Sequence, residues 1–592
     1  MTSLASICLP VVIENDYWRV QRRLLQSLPE EICDAILAGL VQRGCVDFVN
    51  LGLFAHSCSA VHLSGRDIGS DARAWLRTLS HFSGLQTLHI EGADRLQEDA
   101  LSMLAPLAAT LQELSLQGCH ALRDRAGQHL QALTRLTQLD IGGTQIPSGR
   151  VAGLRSLAVL SMRQGLISGN SDRSFSQLES LEALDVSDTD MGNAELQQLQ
   201  ALSQLRSLDL TWTKVTRPPL VSSLTSLEMG NVEVAPTPED LDWLEDNGLL
   251  LHLESLRMPG ASLSQQGESF VRTLLQCSAK HLTSLDVRQV TASSADFLEG
   301  LPQHNALHTL NISGCKGLHD LHLLRSMADL RDLDLSQSDV SDSGLFRIAA
   351  MSQLTRLSLR DTAVTAVALK ALADLSSLQS LDLSHTSIHD RIHQNLGAPA
   401  ALCTRTLLAV GTKLSDRDVH ALMSFAGRRL QNLHLGTSII ESIYCLRTAV
   451  GLERLVLAGC NCITEEQLKS VAGLFRSLHS LTIHHCFLLT EHLAADVDAW
   501  APQSMASLSI DDTPFYIERR KGGRREAMMT ASPTKQPRPA RRMSMEDLQA
   551  YDERLRYSRE DLQSIAAGLQ QNGAACAALS QAVHSLDLAP AK

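Results

Sequence analysis

One phrase recurs through most of this 592-residue chain: a leucine, two variable residues, a second leucine, one variable residue and a third leucine. Clear copies begin at Leu85, Leu111, Leu136, Leu181, Leu205, Leu307, Leu330, Leu354, Leu378, Leu430, Leu452 and Leu478. Copies with one conservative change begin at Leu157, Leu224, Leu253, Leu282 and Met505, and a degenerate copy begins at Thr404. Because most copies are about 22 to 27 residues apart, one structural unit must be repeated along the chain.

The phrase predicts a strand that is followed by a helical return. Alternate side chains of a strand face opposite sides, so in residues 381–386 the leucines point inward while Asp382 and Ser384 point outward. Ordering one unit of about 24 residues costs on the order of 25–50 kcal/mol. Each buried leucine returns only roughly 1.5–3 kcal/mol, so units must stack to be stable. We therefore predict an α/β leucine-rich-repeat solenoid, a curved horseshoe with parallel strands on the concave face and helices on the convex face.

These patterns divide the chain into four parts. Residues 1–57 form a helical N-terminal cap, and residues 58–513 form a solenoid of about 18 repeats. Residues 514–544 read as a disordered basic linker, because residues 518–544 contain nine Lys or Arg against two Glu. Residues 545–587 read as an amphipathic helical tail.

The tail has an apolar residue at every seventh position: Leu548, Leu555, Leu562, Leu569, Cys576 and Val583. This spacing predicts a coiled-coil-like seam. The seam would serve either self-association through residues 545–587 or packing back onto the last repeat.

A small residue with a weak hydrogen-bond donor follows three positions after the last leucine of many phrases, as at Cys119, Thr144, Thr189, Thr213, Cys315, Ser338, Thr362, Thr386, Thr412, Ser438, Cys460, Cys486 and Thr513. We expect its side chain to bond the backbone of the next turn. The mixture of Cys and Thr resembles the cysteine-containing repeats that are common in ubiquitin-ligase receptors.

The repeat spacing stretches to 29 residues twice between Leu224 and Leu282. Within this region Thr237 and Pro238 predict the start of a helix, with Thr as the capping residue and Pro at the first helical position. The region is either a bend or bulge that meets a partner, or simply a pair of longer repeats.

The N-terminal segment carries two short patterns ahead of the repeats. Leu4, Cys8 and Val12 are four residues apart and would share one face of a helix. This pattern resembles the box with which substrate receptors bind Elongin C. A second pattern, formed by Leu28, Pro29, Ile32 and Ile36, resembles the cullin-2 box.

The order of the two boxes and the repeats is similar to that of the zyg-eleven family of cullin-2 substrate receptors. The resemblance implies that Leu4, Cys8 and Val12 bind the Elongin C adaptor. It also implies that Leu28, Pro29, Ile32 and Ile36 face the cullin. The C-terminal armadillo repeats of that family have no counterpart in this sequence, so the resemblance implies no substrate class.

Two alternatives for the N-terminal segment remain open. Its apolar positions, such as Leu24, Leu28 and Ile32, would also serve to cap the first repeat, which a solenoid requires. Residues 28–40 also resemble the start of an F-box, which would contact Skp1.

The outward position between the second and third leucines is repeatedly acidic, at Asp140, Asp185, Asp209, Glu228, Asp286, Asp334 and Asp382. Such a stripe on the concave face would favour a basic or polar client, or it is simply a solvated surface. Trp212 follows Asp209 closely and is either an exposed anchor for a client or a residue that packs on the next turn.

Composition excludes several classes of protein. The net charge of −13 argues against a nucleic-acid-binding surface. No window has the eighteen or more apolar residues that a membrane span needs, and the first residues lack the features of a signal peptide. Thirteen cysteines without an export signal predict reduced thiols in the cytoplasm. The arginine clusters after residue 518 resemble a nuclear import signal, and residues 541–544 resemble a kinase site at Ser544.

No motif for catalysis or for a cofactor is present in the sequence. Cys460, Cys462, His484, His485 and Cys486 have the composition of zinc ligands. However, Cys460 and Cys486 occupy the small-residue position of the repeat, so we predict no metal. The predicted function is a non-catalytic protein-binding module, the substrate receptor of an Elongin–cullin ubiquitin ligase. The alternative is an interaction scaffold with no link to ubiquitin.

Overall fold

A computed structural model describes residues 30–519 and 525–529. Its gaps are residues 70, 168–174, 248–251, 302–305, 320, 325–326, 390–391, 393–403, 427–428, 439, 487, 491, 496 and 512. The chain divides into two units, residues 1–305 (unit 1) and residues 306–592 (unit 2).

Unit 1 contains a parallel sheet in which each strand pairs with the strand of the next repeat. Its strands are β1 Ala60–Ser64, β2 Thr87–Glu91, β3 Glu113–Ser115, β4 Gln138–Asp140, β5 Val159–Ser161, β6 Ala183–Asp185, β7 Ser207–Asp209, β8 Ser226–Glu228, β10 Ser255–Arg257 and β12 Ser284–Asp286. The register aligns the second leucine of each phrase with its counterpart, as Leu184 with Leu208. β1 was not expected as a copy of the phrase, because Cys58 stands in the first leucine position.

The helical returns of unit 1 differ in length with the repeats that contain them. Its α-helices are α1 Glu30–Gln42, α2 Phe48–Leu51, α3 Gly65–Ile68, α4 Ala72–Leu79, α5 Asp124–Leu130, α6 Asn193–Leu196, α7 Pro238–Asn247 and α8 Gln265–Cys277. Its 3-10 helices are Gly52–Phe54, Glu98–Ala109, Ser148–Arg150, Phe175–Gln177, Gln197–Ala201 and Ala295–Gly300. The two 29-residue spacings contain α7 and α8, of 10 and 13 residues, since the extra residues extend the return.

The region of longer repeats also forms a second, two-stranded parallel sheet from β9 Glu233–Val234 and β11 Ser262–Leu263. The helix start predicted at Thr237 and Pro238 is confirmed, because α7 begins at Pro238. The Thr237 backbone N–H and hydroxyl each donate to Asp240 at 2.8 Å. Arg217, from the preceding repeat, donates to the same carboxylate from Nε at 3.0 Å and from Nη2 at 2.5 Å. These bonds tie the start of α7 to its neighbour.

Helix α1 closes the N-terminal end of the described solenoid. Its residues Cys33, Ile36, Leu37 and Leu40 are buried. Asp34 accepts hydrogen bonds from the backbone N–H groups of Ser59 (3.0 Å) and Ala60 (3.2 Å), at the start of β1. This helix therefore supplies both apolar cover and backbone partners to the first strand, as a solenoid cap must.

Unit 2 repeats the same plan. Its parallel strands are β13 Thr309–Asn311, β14 Asp332–Asp334, β15 Arg356–Ser358, β16 Ser380–Asp382, β17 Thr406–Val410, β18 Asn432–Gly436, β19 Arg454–Ala458, β20 Ser480–His484 and β21 Ser507–Ile510. Its α-helices are α9 Asp342–Ile348, α10 Leu369–Ala373, α11 Asp416–Ala426, α12 Glu465–Ala472, α13 His492–Ala495 and α14 Val497–Trp500. Its 3-10 helices are His322–Leu324, Ala366–Ala368 and Ile443–Leu446.

Two antiparallel strands, β22 Thr513–Arg519 and β23 Arg525–Met529, follow the last repeat. The disordered linker predicted from residue 514 is therefore wrong for these residues. β22 pairs with β21, which would otherwise present an unpaired edge. The many basic residues of this segment suggested disorder, but its apolar residues alternate as in a strand: Phe515 is buried and Ile517 is half-buried. The rest of the predicted linker and tail lies outside the described residues.

The turn after each strand has a fixed geometry. Two positions beyond the third apolar residue, φ is positive, as at Gly118 (70°), Asp188 (55°) and Asn231 (55°). The hydroxyl of the next residue then bonds a carbonyl of its own turn, as Thr189 Oγ1 donates to Val186 O at 2.6 Å. The expectation that this side chain would bond a neighbouring turn is therefore wrong for the threonines, but the cysteines do reach the adjacent repeat: the thiol of Cys119 donates to Ile90 O at 3.3 Å and that of Cys486 to Leu457 O at 3.6 Å.

Candidate protein-binding surface

The acidic residues of the strands have a structural role in their own turns. Each Asp of the predicted stripe accepts a hydrogen bond from the backbone N–H two residues further on, as Asp185 does from Ser187 (2.9 Å) and Asp209 from Thr211 (2.8 Å). The same bond occurs at Asp140, Asp286, Asp334 and Asp382. The recurrence of Asp at this position is therefore explained in part by the end of the strand, and not by a client alone.

Three of these carboxylates meet beside a hollow in the exposed face of the unit 1 sheet. The hollow has a volume of about 200 Å³ and lies over β5 to β8. Small side chains form much of its floor, namely Ala183, Ser207 and Ser226. Its acidic side chains are Asp185, Asp209 and Glu228.

The other predicted surface residues are more distant. Asp140 and Asp286 lie on β4 and β12, outside the lining of the hollow, and Asp334 and Asp382 belong to unit 2. The structure therefore brings together part of the predicted stripe.

The charges around the hollow are unevenly compensated. Burial and the neighbouring Asp209 carboxylate raise the pKa of Glu228, while the guanidinium of Arg257 opposes that rise through an ion pair with Glu228. Arg257 Nε also lies 3.8 Å from Asp286 Oδ2, and Arg288 Nε lies 3.6 Å from it. Arg257 thus divides one positive charge between two carboxylates.

Trp212 is 62% exposed, as an anchor for a client would be. It occupies the left-handed position of its turn, with φ 60°, where Gly118 and Asn231 stand in other repeats. A bulky side chain is strained in this conformation. Its backbone N–H donates to Gly230 O of the next repeat at 2.9 Å, as the equivalent residue does in other repeats. The backbone is therefore regular here, while the indole remains largely exposed to solvent.

The N-terminal boxes are only partly within the described residues. Leu4, Cys8, Val12, Leu28 and Pro29 lie outside them, as does Ser544. Ile32 is half-buried in α1. Ile36 is 3% exposed, because its side chain packs in the cap. In this structure it is therefore not accessible for the cullin contact that the resemblance assigns to it.

The cysteines that resemble zinc ligands are core residues. Cys460, Cys462 and Cys486 are buried. The contact with Cys486 and burial both raise the pKa of Cys460, which disfavours the thiolate that a metal needs. Across the described ranges, no group of three His, Cys, Asp or Glu residues is placed to hold a metal ion. None of the helices described above is long and apolar enough to span a bilayer.

Comparison with known proteins adds solved structures only. No protein-family model matches the chain, and no curated protein matches it. A leucine-rich-repeat protein of Leptospira interrogans is 17% identical, with a TM-score of 0.47 over 74% of this chain and 98% of its own. An internalin of Listeria monocytogenes is 16% identical, with a TM-score of 0.38 over 75% of this chain and 94% of its own. The functional domain of InlJ, from the same organism, is 16% identical, with a TM-score of 0.38 over 70% of this chain and 82% of its own.

The class of protein follows from the fold. Each unit stacks short parallel strands that carry the repeated leucine phrase, with helical returns between them. The chain is therefore a leucine-rich-repeat protein of the α/β solenoid type.

Proposed function

We propose that the chain is a non-catalytic protein-binding protein, and that the exposed sheet face over β5 to β8 holds a basic segment of its client. The observation that carries this proposal is the hollow lined by Asp185, Asp209 and Glu228. Strand β7 crosses this hollow, and the exposed Trp212 follows three residues after its end.

The chemistry of the hollow favours a lysine or arginine side chain. Its volume of about 200 Å³ is open to solvent above a floor of small residues, so a long side chain can enter without displacing the sheet. Burial is the main cause of the raised pKa of Glu228, and a cation placed between Asp209 and Glu228 would offset the second cause, the repulsion from Asp209. Trp212 would supply the apolar contact that typically dominates the binding energy of an interface.

A selection of random peptides displayed on phage, with the full chain as bait, tests this proposal. We expect the wild type to enrich peptides that contain Lys or Arg. Trp212→Ala should weaken the best peptide at least about tenfold, because exposed Trp anchors commonly contribute 2 kcal/mol or more. Asp185→Ser/Asp209→Ser should remove the preference for basic residues. Val49→Ala, which alters a side chain that is 67% exposed on α2, is the control. Selected peptides without basic residues would show that the proposed site is wrong.

The N-terminal segment supports a second proposal: residues ahead of α1 recruit a ubiquitin-ligase adaptor to a client held by the sheet. The Leu4, Cys8 and Val12 pattern favours this role. In this proposal the cullin contact falls to Leu28, Pro29 and Ile32 of the second box, because Ile36 is buried in α1.

A pull-down with purified Elongin B/C separates the adaptor proposal from a scaffold role. We expect the full chain to retain Elongin C and the variant Leu4→Ala/Cys8→Ala to lose it, since both side chains would enter one pocket. Val49→Ala should bind as the wild type does. Retention of Skp1 in place of Elongin C would favour the F-box alternative, and retention of neither would favour a scaffold without a ubiquitin link.

A further inference from the structure

The helical side of unit 2 exposes three large apolar side chains in neighbouring repeats. Tyr444, Val450 and Leu474 are 49%, 43% and 45% exposed. The Tyr444 hydroxyl lies 2.8 Å from the hydroxyl of Ser470, which is four residues before Leu474. Tyr444 thus contacts the helix that precedes Leu474, and Val450 follows Tyr444 by six residues in the same repeat. The three exposed side chains are here called the outer apolar patch.

The patch has a well-packed base. Ile443, Leu446 and Phe475 are each at most 1% exposed directly beside the patch residues. Single exposed apolar residues are normal on protein surfaces, but a contiguous group on a rigid base is typical of a contact surface. Arg447 and Arg476 are exposed near Val450 and Leu474, and the exposed Glu441 and Glu466 also lie close to the patch in sequence.

We propose that the seam of residues 545–587 of the same chain packs on the outer apolar patch. The four leucines from Leu548 to Leu569 give an amphipathic helix an apolar stripe that requires cover. The same residues 545–587 contain seven Asp or Glu against three Lys or Arg, which complements Arg447 and Arg476.

The position at which the described chain ends supports an intramolecular contact. β23 ends at Met529 and contacts α14, and α14 contacts α12, which leads directly to Leu474. Residues 530–547 separate Met529 from Leu548, and 18 residues can span up to roughly 60 Å. Repeats are only about 5 Å apart along the sheet, so the seam easily reaches the patch.

Because the seam is covalently tethered to unit 2, it should bind the patch of its own chain in preference to that of a second copy. A tethered segment experiences an effective concentration of about millimolar, which favours the patch of its own chain.

Hydrogen–deuterium exchange of the full chain tests this contact from both sides. In Leu555→Asp/Leu562→Asp we expect exchange at residues 442–450 and 465–477 to become at least a few-fold faster, with unit 1 unchanged. In Tyr444→Ser/Leu474→Ser we expect faster exchange at residues 548–569. The matched control Phe346→Ser/Val367→Ser replaces two side chains of unit 2 that are 46% and 45% exposed, and it should leave residues 548–569 unchanged.

Light scattering on the same samples completes the test. The proposal requires a monomer for the wild type and for both variants. A wild-type dimer that the seam variant converts to monomers would overturn it in favour of self-association. Unchanged exchange at the patch in the seam variant would show that the seam does not cover it.

Discussion

Replacing Arg217 with alanine is expected to lower the free energy of unfolding of unit 1 by about 1.5–3 kcal/mol, because it removes charge-assisted hydrogen bonds from a half-buried guanidinium to a buried carboxylate. Asp240 is 1% exposed and would be left as an uncompensated charge beneath the start of α7. The Thr237 N–H and hydroxyl would remain as its partners. Chemical denaturation followed by circular dichroism measures the loss.

The pH dependence gives this prediction a distinctive signature. Burial alone would raise the pKa of Asp240, but hydrogen bonds from Arg217 and Thr237 outweigh it and hold the pKa below its usual value. The stabilisation is therefore present above the usual carboxylate pKa and is lost as pH falls through the depressed value. In Arg217→Ala the carboxyl should take up its proton at a higher pH, so the difference between variant and wild type should shrink on acidification.

Two variants check the cause of the effect. Arg217→Ala/Asp240→Asn should be more stable than Arg217→Ala at neutral pH, because the stranded charge is removed. Arg125→Ala removes an exposed arginine of α5 and should change stability by less than about 0.5 kcal/mol. If Arg217→Ala is less stable than the wild type by the same free energy at every pH between about 7 and 3, lost packing and not charge explains the effect.

The same ion pair shows where sequence reasoning ends. Thr237 and Pro238 predict the start of α7 because capping is local, within a few residues of the helix end. Arg217 lies in the preceding repeat, and only the stacking of that repeat on the next brings it to Asp240. Likewise, the phrase that begins at Leu205 predicts β7, but the phrase alone could not reveal β1, whose first position is Cys58.

The candidate site was predicted in part for a related reason. Alternation along a strand places Asp185 and Asp209 on the exposed face, and this much follows from the sequence. Which carboxylates share a hollow depends on their neighbours. Arg257 stands at the equivalent outward position of β10 and partly neutralises Glu228 and Asp286, so the acidic stripe is interrupted there. The turn-closing bonds of the Asp residues were also not apparent from a charge pattern.

Replacing Phe475 with alanine is expected to destabilise unit 2 by about 3–5 kcal/mol, since it removes a large buried ring and leaves a cavity. Phe475 is 1% exposed and lies between the end of α12 and the start of β20. A solenoid has no distant contacts that could compensate for the loss, because each repeat packs mainly on its immediate neighbours.

That architecture also predicts how far the damage should extend. Hydrogen exchange in Phe475→Ala should accelerate most in β20 and in β19 and β21, which pair with β20 on either side. Strands β13 to β15 lie several repeats away and should keep most of their protection. Phe346→Ala removes a ring that is 46% exposed, so it should cost little stability and leave the protection pattern intact. An equal loss of protection from β13 to β21 would show that unit 2 unfolds as one cooperative block, and stacking energy between repeats would then have to exceed the cost of a missing core ring.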